Sequence, residues 1–131
     1  MPLYQCFTAE GLLSDEQRAA VARRLTDIHT SLTGAPKTFV HIVFRDGQPS
    51  WSKTRYSIHG SIRAGRSAEI TNALTSKMIA VIAEAVQANV DDVSMKTVET
   101  PALWVMEGGR TMSEPGAETE WLAFDHREKT P

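Results

Sequence analysis

Hydrophobic residues recur along the chain with two spacings, one typical of strands and one typical of helices. The run LYQCFT at 3–8 is short and largely apolar, which predicts a buried strand. After it, Ser14 and Gln17 have the spacing of a capping box, and Gly34 with Pro36 is a helix stop signal. Between them the apolar residues recur every three to four positions, which predicts an amphipathic helix. This stripe consists of Val21, Leu25, Ile28 and Leu32.

The same pattern recurs in the second half of the chain. An offset of 53 residues carries the predicted cap Ser14 to Ser67. It also carries the helical stripe to four further apolar residues, Leu74, Met78, Val81 and Ala85. Because caps and stripes match together, the sequence indicates an internal repeat. Strands are predicted before and after each helix, at 3–8, 38–44, 55–62 and, behind a loop at 89–101, at 102–106 with the sequence ALWVM.

Two tandem β-α-β units follow, about 2–46 and 55–106, with a C-terminal tail behind them. Because β-α-β crossovers join parallel strands, we expect an α/β (α+β) fold in a single domain, 1–131. Its four-stranded sheet should be mainly parallel-paired, with both helices on one face. Such a sheet rarely leaves a face in water, so we expect further copies of the chain to cover the other face. The tail ends in apolar residues that are expected to dock, Trp121, Leu122 and Phe124.

Composition narrows the class of protein. The chain has 131 residues, is 41% hydrophobic and carries a formal net charge of −2. These values are typical of a globular protein and offer no basic surface for nucleic acid or for a membrane. The single cysteine, Cys6, cannot form an internal disulfide, and no Cys/His cluster has zinc spacing. We therefore expect a cytoplasmic protein that uses no metal and no cofactor.

Pro2, directly behind Met1, raises a question of chemistry. If Met1 is removed, Pro2 carries a free secondary amine, and an α-amine titrates near neutral pH. Such an amine is suited to general acid or base catalysis. Taken alone, a proline at this position is more often incidental, so the remaining residues must decide.

Four other residues are candidates for a site. Arg63 and Arg66 lie three residues apart at a strand-to-helix turn beside Ser67, where guanidinium groups and free helix amides can bind a carboxylate. The alternative is a pair of solvated turn arginines. His29 lies near the end of the first helix, where a boundary residue or a helix C-terminal cation is the alternative to catalysis. Glu107 follows the last predicted strand, where the alternative is a surface turn residue.

Together these features resemble the tautomerase superfamily and, within it, the cis-3-chloroacrylic acid dehalogenase family. The resemblance is carried by MPLYQC, TDIHTSLTGAPKTFVHIVF, IHGSIRAGRSAE and GGRTMSEPGAETEW, which spread over most of the chain. It implies a homotrimer that acts on a small-molecule carboxylate substrate.

The resemblance also implies a role for each candidate residue. Pro2 matches the catalytic amino-terminal proline. Arg63 and Arg66 match the arginine pair that holds the substrate carboxylate, and His29 matches a histidine that helps to bind or polarise it. Glu107 is similar to the glutamate that activates water.

One departure from the family bears on the reaction. The dehalogenases have a tyrosine in the last strand that helps to position the water, and this chain has Met106 there by the match of a preceding WV. We therefore expect carboxylate binding to be intact and water activation to be weakened. The expected reactions are hydration or dehalogenation of small unsaturated carboxylates and keto–enol tautomerisation of 2-oxo carboxylates. Two alternatives stay open, a plain tautomerase and a non-catalytic trimer that binds carboxylates or a protein.

Overall fold

The computed structural model describes residues 1–128, with side chains as far as residue 123, so the predicted docking of the Phe124 side chain lies outside the described residues. Within that range the helices and strands are β1 Leu3–Phe7, α1 Asp15–Thr33, β2 His41–Arg45, β3 Tyr56–Arg63, α2 Ala68–Val86, β4 Val93–Thr100, β5 Met106–Glu107, β6 Arg110–Thr111 and α3 Glu118–Glu128. No helix in the described part is long and apolar enough to cross a membrane.

Four strands form one mixed sheet in the order β2-β1-β3-β4. Within each repeat the pairing is parallel, with Leu3 of β1 opposite His41 of β2 and Tyr56 of β3 opposite Val93 of β4. The two repeats meet at the antiparallel pair β1 and β3 in the centre. The predicted α/β fold, with parallel pairing inside each β-α-β unit, is therefore confirmed.

The two long helices repeat one another in length and position. Both have 19 residues, and their bounds are related by the offset of 53 that the sequence showed. The Ser14 side chain accepts the Gln17 N–H in a full capping box, and Ser67 caps α2 by accepting the Ile70 N–H. Gly34 ends α1 with a φ of +75°, a conformation that residues with a Cβ rarely adopt. These helix ends are those that the sequence predicted.

Both helices pack on the same face of the sheet. Alternate strand residues, among them Tyr4, Cys6, Ile58 and Ile62, form one core with the helical stripes. Burial raises the pKa of the Cys6 thiol to about 12, as expected for an inert packing residue. On the opposite side, which we call the open face, Val43 and Val98 are 42% and 40% exposed.

The last strand of the sheet is not where the hydrophobic pattern placed it. β4 lies within the segment predicted to be a loop, and the predicted strand ALWVM is wrong. Residues Ala102–Trp104 form a 3₁₀ turn, and Met106 opens the β5-β6 hairpin, whose turn residues Gly108 and Gly109 have positive φ. β4 is an edge strand that buries little of its surface and so shows no apolar run. The second predicted strand also starts late, because Lys37–Phe39 forms a 3₁₀ turn.

Candidate active site

The amino terminus lies where β1 begins, beside β2. Pro2 is fully buried, and its carbonyl accepts the His41 N–H at 3.0 Å. The amine of Met1 forms an ion pair with the Glu107 carboxylate. Burial, followed by the charge of Arg63, lowers the pKa of this amine to about 6, while the contact with Glu107 favours its charged form. The structure therefore brings the Glu107 carboxylate to the amino terminus.

His29 is a fully buried, neutral residue and not a helix-terminal cation. Its Nδ1 is 2.7 Å from the Tyr4 hydroxyl oxygen, and its Nε2 is buried with no hydrogen-bond partner among residues 1–123. Burial lowers the pKa of His29 to about 3, and the positive charges of Arg66, Arg63 and the amino terminus act in the same direction. Burial also raises the pKa of Tyr4, so the phenol stays protonated.

Arg63 is the last residue of β3 and is only 1% exposed, so the alternative of a solvated turn arginine is wrong for it. Its Nη2 donates to Glu118 Oε1 at 2.8 Å, and its Nη1 donates to the Ser113 carbonyl at 2.6 Å. The guanidinium also lies 5.7 Å from the centre of the Phe39 ring. Arg63 thus already has a carboxylate partner within its own chain.

Arg66 lies in the turn before α2 and is partly buried. Its Nη1 donates to the Arg63 carbonyl at 3.3 Å, while its Nε and Nη2 are buried without a hydrogen-bond partner in the described part of the chain. Burial and the neighbouring charge of Arg63 lower the pKa of Arg66. Because guanidinium donors are costly to leave unpaired, these two are suited to a ligand carboxylate.

Hollows border these residues at the amino terminus and at Arg66, where a further hollow of about 370 Å³ reaches Glu99 of β4. A shallow groove of about 700 Å³ is lined by Met1, His41 and Glu107. A cavity of about 260 Å³ beside Arg66 lies between the end of α1 and the start of α2, with Pro115 in its wall. The side chain of Met1 packs against a small cluster that consists of Phe39, Val105 and Met112. Among the residues whose side chains are described, 1–123, no group of three His, Cys, Asp or Glu could hold a metal ion.

Two residues of the site were missed by the sequence analysis. Tyr4 could have been found, because it follows Pro2 by two positions on a strand and so shares its face. Glu118 lies in the tail and gave no signal, since its contact with Arg63 spans 55 residues. Met106 lies in the β5-β6 hairpin and not in the last strand of the sheet, which is β4, so its predicted placement in that strand is wrong. The comparison of Met106 with the family's tyrosine, and the weakened water activation expected from it, stay predictions.

The duplicated β-α-β fold, with a buried proline beside two arginines at one end of the sheet, defines a protein of the tautomerase superfamily. The chain belongs to the Tautomerase_3 family, whose model, "Putative oxalocrotonate tautomerase enzyme", matches residues 1–126. The resemblance found in the sequence is thereby confirmed.

Solved structures agree with this assignment. The crystal structure of N1, a member of the cis-3-chloroacrylic acid dehalogenase (cis-CaaD) family, is 28% identical, with 97% of this chain and 96% of that chain covered and a TM-score of 0.84. Native Ps01740 is 36% identical, with 80% of this chain and 99% of that chain covered and a TM-score of 0.71. Native fused 4-OT shares the fold at 21% identity, with 83% of this chain and 94% of that chain covered and a TM-score of 0.72. Among curated proteins, no sequence matches this chain.

Proposed function

We propose that this chain is an enzyme in which Pro2, after removal of Met1, acts as general acid or base on small unsaturated or 2-oxo carboxylates. The observation that supports this most is the convergence of charges. The amino terminus, Arg63 and Arg66 all lie close enough to His29 to lower its pKa. Removal of Met1 transfers the free amine to Pro2, which is the more deeply buried residue, so the pKa of that amine should stay below its ordinary value.

In the tautomerase reaction, Arg66 and His29 hold the substrate and Pro2 moves the proton. The free Nε and Nη2 of Arg66 bind the carboxylate. If the Tyr4 hydroxyl donates to His29 Nδ1, the ring proton lies on Nε2, which then donates to a substrate oxygen. Neutral Pro2 takes a proton from one site of the enol or 2-oxo acid and returns it to another.

Hydration uses these residues together with Glu107, and with the opposite charge on the amine. Cationic Pro2 protonates C2 of an unsaturated acid, while a water molecule that Glu107 deprotonates adds to C3. With a halide on C3, the adduct loses hydrogen halide, which completes dehalogenation. The support for Glu107 is its contact with the amine of Met1, the residue that directly precedes Pro2.

We also propose that the chain works as a cytoplasmic, single-domain homotrimer. Three large apolar side chains of the segment 102–106 are 59–74% exposed in the single chain, namely Leu103, Trp104 and Met106. Together with the open face they offer a surface that subunits can cover. The F6 fused 4-OT wild type, which shares the fold at 20% identity and a TM-score of 0.73, is an asymmetric trimer. A monomer in native mass spectrometry at micromolar concentration would contradict this assembly.

The deciding experiment uses untagged protein whose intact mass shows that Met1 is absent. Enol pyruvates, acetylenic acids and halogenated acrylates are assayed with the parent, with Pro2→Ala and with Pro49→Ala, a loop proline that serves as the control. Pro2→Ala should lose most of kcat and Pro49→Ala should keep it. Unchanged kcat in Pro2→Ala would refute the proposed base. Carboxylate binding without turnover of any substrate would instead support the non-catalytic trimer.

A further inference from the structure

Glu118 of α3 is fixed from several sides. Its Oε1 accepts from Arg63 Nη2 at 2.8 Å, and its Oε2 accepts the Gly116 N–H at 2.9 Å. The side chains of Arg63 and Glu118 are 1% and 9% exposed. One turn further along α3, Trp121 Nε1 donates to the Thr111 carbonyl at 2.7 Å, which holds the helix in place. The carboxylate is therefore built into the site and is not a loosely attached surface group.

The two arginines therefore differ in the positive charge that is available to a ligand. Arg63 and Glu118 form a neutral pair inside the protein. Arg66 has no such ion pair among residues 1–123, and two of its three nitrogens lack a hydrogen-bond partner there. Arg63 Nε also lacks a hydrogen-bond partner among residues 1–123, but the charge of Arg63 is balanced by Glu118. Arg66 therefore holds the guanidinium charge that remains for one ligand carboxylate. A second carboxylate near Arg63 would meet the negative charge of Glu118 in a poorly solvated place, where like charges repel strongly.

We propose that Glu118 is a positioning residue that neutralises Arg63 and so restricts the site to ligands with a single carboxylate, which Arg66 binds. This inference rests on the proposed carboxylate site and adds its selectivity. The inference predicts that ligand selectivity depends on the negative charge at position 118. Removal of the negative charge at position 118 frees a buried guanidinium, and the site then accepts a dicarboxylate.

The test compares three small acids that differ in the number of carboxylates, namely acrylate, maleate and fumarate. Their dissociation constants are measured by calorimetry at pH 7.5 for Met1-free parent, Glu118→Gln, Glu118→Asp and Glu120→Gln. Glu120 is an exposed carboxylate on the same helix, so Glu120→Gln removes the same charge away from Arg63. Glu118→Gln keeps the size and an oxygen that can accept from Arg63, and thermal melting shows whether each variant is folded.

We expect the parent to bind acrylate more tightly than either dicarboxylate. In Glu118→Gln the affinity for at least one dicarboxylate should rise about tenfold or more, the effect of one charge-assisted hydrogen bond, with acrylate changed by less than about threefold. Glu118→Asp and Glu120→Gln should keep the preference of the parent. If Glu118→Gln is not folded, the double variant Arg63→Gln/Glu118→Gln removes the pair as a unit. It should bind acrylate like the parent and still reject dicarboxylates.

The possible failures are distinguishable. Normal acrylate binding with an unchanged preference in Glu118→Gln would overturn the role of Glu118 and leave the proposed function intact. Loss of acrylate binding in the double variant would show that Arg63 itself holds the ligand, and would also overturn it. If the Met1-free parent binds none of the three acids, the proposed carboxylate site is wrong, and the selectivity falls with it.

Discussion

Acid should destabilise the folded chain through His29. This side chain is fully buried, and its pKa is about 3 in the folded state, against about 6.5 for an unfolded chain. Between these values the unfolded state binds a proton that the folded state excludes, so the free energy of unfolding falls as the pH drops below 6.5. The stabilisation is complete above pH 6.5 and is lost progressively toward pH 3. From pH 7 to pH 5 the expected loss is about 2 kcal/mol.

Urea denaturation at pH 7 and pH 5 measures this loss, at one protein concentration because assembly links stability to concentration. With a urea dependence of about 2 kcal/mol per M, the midpoint of the parent should fall by about 1 M. His29→Gln removes the titrating ring and should show a much smaller fall. His41→Gln changes an exposed histidine of β2 and should behave like the parent. Equal losses in the parent and in His29→Gln would refute the reasoning.

Three further predictions concern the arginines, the water chemistry and a close contact. Arg63→Ala should destabilise the fold by about 3–5 kcal/mol, because it leaves Glu118 buried and unpaired; Arg66→Ala should instead raise KM for carboxylates at least about tenfold with little change in melting temperature. Glu107→Gln should abolish hydration or dehalogenation and spare tautomerisation, as followed by NMR of the products; fast hydration by this variant would show that another group activates water. Gly60→Ala should destabilise the fold by about 1–3 kcal/mol, since a Cβ there would lie 2.9 Å from Tyr4 Cε1, while Ser61→Ala should melt like the parent.

Helices were predictable from the sequence because their signals are local. The caps Ser14 and Ser67 lie within four residues of the amides that they bind, and both stripes face the core of their own chain. For β4 the hydrophobic pattern was misleading, because an edge strand can be largely polar on its exposed surface. The offset of 53 carries β2 to 94–98, which lies inside β4. The internal repeat therefore predicts the position of β4 correctly, whereas the apolar run at 102–106 does not.

The site could be predicted from the sequence only where the residue type at a position itself indicates a function. A proline at position 2 and two arginines before a helix are visible in the sequence. The burial of Arg63 is not, because it depends on Glu118, which folds back across the site from 55 residues away. The lowered pKa of His29 likewise depends on packing, which buries its ring and brings three positive charges near it. Charge and burial at a site arise from long-range contacts, which local patterns do not contain.

The two long helices, which the internal repeat relates to one another, differ in chemistry at one interior position. The offset that aligns them carries His29 of α1 to Ile82 of α2, and both side chains are fully buried. In one copy this interior position bears a polar ring, which costs stability unless every one of its partners is in place. In the other copy the same position bears the apolar side chain of Ile82, which only packs in the core. At this one position the second copy is free to evolve for stability alone, whereas the first copy keeps a polar side chain to which the proposed function assigns substrate binding.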